Sequence, residues 1–278
     1  MSSGTNVHGT SVEHVISSAL QPATATVYVV DPTPLVVESI VELSVESPES
    51  PPIRLLADEP LLKDVFDDFP TATDAADLIA RGSLELRVPG RSTGNTLLVT
   101  DESVVAIVTA GDHVAGLRTD EASFVQSARE AYEDRFQSGE QFTLRTPAIS
   151  AVRESLEAEF DERVRADFDS ILESLRTRRD AGREIDEVVL SLLVAARNEL
   201  LLYDISRWGE EVGVASKATF SRTKTELEEA GVIETEKVPI EVGRLRLRLR
   251  LGSERLRDAD VADLAGVTRE ILHQRSAE

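Results

Sequence analysis

The sequence predicts two fold classes in one chain. An N-terminal mixed α/β sheet domain (residues 1–142) is followed by a helical connector (143–183) and a C-terminal α+β domain of the winged helix-turn-helix kind (184–278). Three observations predict it. Short apolar runs alternate first with amphipathic helical segments and then with turns, which suits strands in a mixed sheet. A charged stretch with apolar residues three or four apart follows Pro147. Beyond Gly182 come three helical segments joined by one tight glycine turn, then two runs of strand character. A length of 278 residues suits two modest domains.

The N-terminal elements follow in order. Residues 1–8 read as a disordered start, and Thr10 with Glu13 fits a capping box opening a helix that runs to Leu20. A β run from Thr26 to Val30 ends in Asp31-Pro32-Thr33-Pro34. There Thr33 can cap and Pro34 can take the first helical position, placing Leu35, Val36, Ile40 and Leu43 on one helix face. A Ser/Pro/Glu-rich loop (46–52) leads to a strand from Ile53 to Ala57. Two short helices are expected from Pro60 to Phe69 and from Asp74 to Arg81. Strands then read from Leu84 to Val88, Thr96 to Thr100, Val104 to Val108 and, after the Gly111-Asp112 turn, Val114 to Leu117. A helix from about Glu121 to Phe136 closes the unit.

Thr143 to Pro147 marks a boundary, since the residue before proline disfavours helix. From Ser150 to Arg179, Val152, Leu156, Phe160, Val164, Phe168, Leu172 and Leu175 form a stripe. Four-residue steps drift by about 40° each around a 3.6-residue helix, so a break is expected near Phe160 to Glu162. Such a stripe needs a partner: either its own chain or a second copy in a homodimer.

Ile185 to Arg197 is amphipathic, and Leu202 to Val212 carries Ile205, Trp208 and Val212 inward, with Gly209 small enough for another helix to cross closely. Gly213 supplies a positive φ, Val214 anchors the turn, and Ser216 caps a third helix that Gly231 stops. In this layout the helix after the turn enters the DNA major groove. Phe220 and Leu227 face inward, leaving Ser216, Lys217, Thr219, Ser221, Arg222 and Lys224 largely outward. Backbone amides, hydroxyls and cations at a helix N-terminus suit phosphate oxygens and base edges. Two strands, Val232 to Val238 and Leu245 to Leu251, form the wing. Arg244, Arg246, Arg248 and Arg250 alternate with leucines, which period two directs to the core. Arg244 and Arg246, near the tip, are the candidates for phosphate contact; Arg248 and Arg250 are equally well read as paired with glutamates across the ribbon.

Composition bounds the function. With 51 acidic against 30 basic residues the formal charge is −21, and only Lys63, Lys217, Lys224 and Lys237 are lysines. An acidic, lysine-poor surface is that of proteins dissolved in molar salt, so a halophilic source is expected, the alternative being a mesophilic acidic protein. Residues 214–257 hold ten basic and seven acidic residues, net +3, against −24 for the remainder. Zero cysteines exclude disulfides, thiolate zinc sites and cysteine nucleophiles. No apolar run approaches the ~18 residues needed to span a bilayer, and Met1 to Leu20 lacks a signal-peptide pattern. A cytoplasmic chain with no membrane partner is expected.

The run from Trp208 to Ile233, WGEEVGVASKATFSRTKTELEEAGVI, resembles the LGVSKATVSRHLKELEEAGLI pattern of winged-helix repressors. The whole chain resembles the TbsP family of haloarchaeal transcriptional regulators. The resemblance rests on VYVVDPTP, IRLLADE, TLLVTDESVVAIVTAGD and LLYDISRWGEEVGVASKATFSRTKTELEEAGVIETEKVPIEVGR. It implies control of central sugar-metabolism genes alongside the sugar-responsive regulator TrmB. Two departures from the winged-helix pattern leave the base-reading residues open: Ala215 lengthens the turn, and Lys224 stands where a core leucine is usual.

The α/β unit also resembles the phospholipase-D-like effector domain of TrmB-type regulators. That chemistry needs a His with a Lys two residues on, which His8, His14, His113 and His273 all lack. Asp31, Asp58 and Asp101 follow expected strands, where α/β sheets bind ligands, so a sugar or a divalent ion is one reading; capping of turns and helices is the other. No glycine-rich phosphate loop appears, and neither cofactor nor metal is expected. The leading expectation is a non-enzymatic regulator that binds double-stranded promoter DNA, with a metabolite or partner sensed by the N-terminal domain. The alternatives are a phosphoester-hydrolysing α/β enzyme with a winged-helix docking module, and a protein-interaction module.

Overall fold

The computed structural model describes residues 6–9, 11–90, 94–111, 113–177, 185–239 and 245–276. The chain divides into two compact units, Met1–Leu144 and Arg145–Glu278. The first is a mixed sheet carrying helices. Its elements are β1 (Val7–Gly9), α1 (Val12–Leu20), β2 (Val27–Val30), α2 (Pro34–Glu46), β3 (Ile53–Leu56), α3 (Glu59–Val65), α4 (Phe69–Ala80), β4 (Leu84–Val88), β5 (Leu97–Val99), β6 (Val104–Ala110), β7 (His113–Thr119), α5 (Ala122–Ser138) and β8 (Glu140–Gln141). Strand order is β1-β7-β6-β5-β2-β3-β4-β8, with β2, β3 and β4 parallel and the other neighbours antiparallel.

Every residue of β2 is buried, as an apolar run covered on both sheet faces must be. One face packs Val27, Val29, Ile53, Leu55, Leu84 and Leu86 against the apolar sides of α1 to α4. The other packs Tyr28, Val30, Leu56 and Val99 against Val125 and Phe136 of α5. At that second face the Arg54 guanidinium donates to Tyr28 Oη at 3.2 Å and to Glu133 at 3.1 Å, and the Tyr28 hydroxyl donates to Glu133. Burial pushes the Tyr28 phenol above its usual range, and the bond to Glu133 pushes it the same way.

Several local expectations are corrected. The residue that caps α1 is Ser11, whose hydroxyl accepts from the His14 amide; Thr10 lies outside the described residues. Thr33 holds the N-cap position of α2 without a side-chain bond. Leu35 faces solvent, and the inward row is Val36, Val37, Ile40, Val41 and Ser44, because α2 is flanked by both α1 and α4. Part of the supposedly disordered start is β1, paired with β7 (Val7 opposite Gly116), and β8 adds an edge strand beside β4. Both are too short to leave a periodic pattern.

The second unit comprises α6 (Ile149–Glu159), α7 (Glu162–Thr177), α8 (Glu187–Arg197), α9 (Leu202–Val212), α10 (Lys217–Glu229), β9 (Ile233–Pro239), β10 (Leu245–Leu251), α11 (Glu254–Arg257), a 3-10 turn (Val261–Asp263) and α12 (Leu264–Ser276). The expected break falls at Phe160 (φ −118°, ψ −92°), after which the Asp161 carboxylate accepts from the Val164 amide at 2.9 Å and restarts the helix. The apolar stripe is spent within this unit. Val152, Leu156, Val164, Phe168, Ile171 and Leu172 are buried, α6 lies against α9, and α7 lies against α8. Trp208 ties the junction, its indole N–H donating to Ser155 Oγ at 2.9 Å and its ring meeting Phe160 edge-on at 6.5 Å. Residues 188–196 of α8 are all buried, making it the central helix.

Candidate nucleic-acid interface

The turn between α9 and α10 is built around two glycines. Gly213 ends α9 at φ +90°, a left-handed conformation that glycine adopts without a Cβ clash. The Gly209 carbonyl accepts from the amides of Gly213, Val214 and Ala215, and the Ala215 bond at 3.3 Å absorbs the extra turn residue. A Cβ on Gly209 would sit 2.4 Å from Phe220 Cε2, so the ring packs on bare backbone. That contact, with Thr223 and Leu227 also buried, sets the rotation of α10.

This rotation sorts the candidates. Arg222 points outward with 73% of its side chain exposed, its one ion pair among the described residues being a loose 3.8 Å approach to Glu226. Ser221 is also exposed. Ser216 and Thr219 lie at the helix start, where Ser216 Oγ accepts from the Thr219 amide at 3.2 Å and pairs with Thr219 Oγ1 at 2.9 Å. Lys217 bonds Glu210 of α9, Nζ to Oε2 at 2.7 Å, while its amide donates to Glu210 Oε1 at 3.4 Å. The bond from Lys217 holds the Glu210 carboxyl below the usual carboxylate range, and the same bond raises Lys217.

Lys224 is corrected: it does not face outward. Its side chain is 12% exposed, and Nζ bonds Glu228 at 2.8 Å, which also accepts from Thr235 Oγ1 of β9. Lys224 therefore ties α10 to the ribbon at the position where related folds bury a leucine, its stem covered and its charge satisfied.

The wing pairs β9 and β10 in antiparallel register, Arg248 opposite Glu236 and Arg250 opposite Glu234. Arg250 reaches Glu236 at 3.1 Å and Glu199 at 3.5 Å, so it is neutralised within the fold. Arg248 makes no ion pair among the described residues. Leu249 and Leu251 are buried as alternation predicts, but Leu245 is 63% exposed. The Arg246 guanidinium lies over the Tyr203 ring, 3.9 Å from its centroid, and donates to Asp204 at 3.3 Å. Arg244 lies outside the described residues. Three participants escaped sequence reasoning: Tyr203, Asp204 and Glu210. The available signal was Tyr203, an aromatic residue off the apolar stripe of α9 and seven residues, hence one face, from Glu210.

The N-terminal aspartates have structural engagements. Asp58 caps α3, accepting from Leu61 at 2.9 Å. Asp31, at φ +45°, accepts from Gly94 through its carboxylate and from Thr96 Oγ1 through its carbonyl. Asp101 accepts from Thr24 Oγ1 at 2.6 Å and from its amide. Burial opposes ionisation there, but these bonds outweigh it and lower the Asp101 carboxyl. Asp101 also borders a shallow recess of about 400 Å³ shared with Asp120, Gln126, Arg129 and Glu130. Among the described residues no group of three or more His, Asp or Glu side chains is placed to hold a metal ion, and no helix is long and apolar enough to cross a membrane.

Comparison with known proteins adds the following. Residues 4–147 match the model of the N-terminal domain of TbsP-like transcriptional regulators, and residues 148–269 match that of their C-terminal helix-turn-helix domain. No curated protein sequence matches. Among solved structures, TrmBL2, an archaeal chromatin protein described as showing a novel mode of DNA binding, aligns at 16% identity over 50% of this chain and 54% of its own, with a TM-score of 0.38. The chain thus spans about half of that protein. NucT from Helicobacter pylori aligns at 9% identity over 50% of this chain and 99% of its own, with a TM-score of 0.33. The two family models together take in nearly the whole chain: it belongs to the TbsP-like transcriptional regulators, with a helix-turn-helix domain at its C-terminal end.

Proposed function

We propose that the C-terminal unit binds duplex promoter DNA with the N-terminal half of α10 in the major groove and the β9–β10 wing on the adjacent backbone. The observation that carries this reading is the outward projection of Arg222. Its helix is locked by Phe220 on Gly209, and among the described residues its guanidinium has one ion pair, at 3.8 Å. Ser221 lies beside it, and the cap hydroxyls of Ser216 and Thr219 sit one turn earlier. In this reading Lys217 and Arg246 serve phosphates, Arg244 extends that row at the wing tip, and Lys224 is a structural tie.

The N-terminal sheet domain, in the same proposal, couples DNA binding to a small metabolite or a protein partner, and the target genes are those of central sugar metabolism. The strand-end residues Asp31, Asp58 and Asp101 are its ligand candidates, Asp101 being the one that borders a recess. A homodimer would have to form through a surface other than the α6–α7 stripe, which is buried in its own unit. The acidic excess suits a halophilic archaeal cytoplasm, and no catalytic role is assigned.

Arg222→Ala tests the interface. If Arg222 reads a base, the substitution costs about 1–3 kcal/mol of affinity for the cognate promoter and flattens discrimination at one position. Titration of both proteins against promoter and mixed-sequence fragments at one salt concentration measures this, and identical binding curves would remove Arg222 from the interface.

A further inference from the structure

Resting on the DNA-binding reading above, we infer that Glu210 and Asp204 of α9 act as internal stand-ins for DNA phosphates: each carboxylate occupies a cation that must be surrendered before duplex DNA can dock. The geometry at α10 is the stronger half. Glu210 takes Lys217 Nζ at 2.7 Å with one oxygen and the Lys217 backbone amide at 3.4 Å with the other. An ammonium and the first amide of a 13-residue helix are the two groups that a phosphate uses at such a terminus. Asp204 holds the wing cation Arg246 by a single contact at 3.3 Å, while the guanidinium also lies over Tyr203.

The two pairs belong to one surface. Tyr203 and Glu210 share a face of α9, and Tyr203 lies under Arg246. All four charged side chains are about one-third to one-half exposed, so the pairs are open to exchange rather than sealed. Arg222, whose one ion pair among the described residues is the 3.8 Å approach to Glu226, has no comparable competitor among them.

Ion bookkeeping makes the inference measurable. A phosphate that lands on a free cation sheds its condensed counterion, and log K then falls with log salt by about 0.9 per contact. Where the phosphate displaces a carboxylate, that carboxylate recruits a cation from solution, and much of the net release cancels. An interface carrying its own counter-charges therefore binds more weakly at low salt but loses less as salt rises. Phosphates are common to every sequence, so the effect is uniform across sequences.

The experiment uses the full chain, a short mixed-sequence duplex and the variants Glu210→Gln, Asp204→Asn and Arg222→Ala, titrated over a potassium chloride series. The two carboxamide variants keep the side-chain shape and one acceptor oxygen while removing the charge, and a thermal scan of each establishes that it is folded. Glu210→Gln should tighten binding roughly two- to fivefold at the lowest salt, the scale of releasing one part-exposed ion pair. It should also steepen the salt slope by up to about one unit. Asp204→Asn should act in the same direction, with a smaller gain because Tyr203 still holds Arg246. A purely structural ion pair predicts the opposite sign: lower stability with equal or weaker binding. If Arg222→Ala weakens binding while both carboxamide variants leave affinity and slope unchanged or reduced, the inference fails and the DNA-binding reading stands. If wild type binds no duplex at any salt, that reading fails and takes the inference with it.

Discussion

Gly209 shows how one missing atom positions a surface. Phe220 Cε2 lies 2.4 Å from where a Cβ would stand, and the ring itself is fully buried, so it has no room to retreat. Gly209→Ala should therefore overpack the α9–α10 crossing and cost about 1–3 kcal/mol. Chemical denaturation reads the loss as a lower midpoint at constant slope; a midpoint equal to that of wild type would mean the helices do not cross as closely as described. DNA affinity should fall with it, since the rotation of α10 depends on this contact. Residue identity alone pointed to Gly209 as a close-approach site and to Gly213 as a left-handed turn. It could not show that Glu210, between them, reaches across to the next helix.

Among the elements, α10 carries the main correction to sequence reasoning. An amphipathic reading places Phe220 and Leu227 inside and every cation outside. Yet a seven-residue repeat leaves the intermediate positions undetermined, and α10 must also face β9. The structure buries Thr223 and largely covers Lys224, whose ammonium is retained because Glu228 and Thr235 supply an ion pair and a linked hydrogen bond. Lys224→Leu restores the apolar residue usual in related folds. It should change affinity for duplex DNA by less than about twofold at molar salt, within the scatter of substitutions away from an interface. A larger loss, measured beside Arg222→Ala, would return Lys224 to the contact surface. The wing teaches the same lesson: period two separated arginines from leucines along β10, but it does not distinguish the exposed Leu245 from the buried Leu249 and Leu251. The α6–α7 break was legible, since a stripe advancing in four-residue steps cannot stay on one side of a straight helix.

For the molecule as a whole, charge dominates. A net −21 spread over a folded chain is self-repulsive, and screening should relieve it. The unfolding temperature is expected to rise steadily from low salt to molar potassium chloride. Affinity for DNA should fall over the same series, because phosphate contacts weaken as counterion release loses its drive. Calorimetry and DNA titration on one set of buffers test both trends; an unfolding temperature independent of salt would show that the acidic surface is not the limiting repulsion. The opposed trends explain why an acidic protein benefits from a non-acidic stretch over residues 214–257, and why direct contacts must carry more of the binding as salt increases.

Periodicity, glycine placement and charge distribution are properties of the chain read in order. They were sufficient for the mixed sheet, the broken helix, the glycine turn and the basic stretch that the helix-turn-helix presents. Which cations remain available was decided only in three dimensions. Lys217, Arg246 and Arg250 meet carboxylates supplied by residues between 7 and 51 positions away, and Lys224 is covered by the adjoining strand, whereas Arg222 projects clear of its neighbours. Counter-charge and burial depend on distances that folding sets between remote segments, and no local pattern contains those distances.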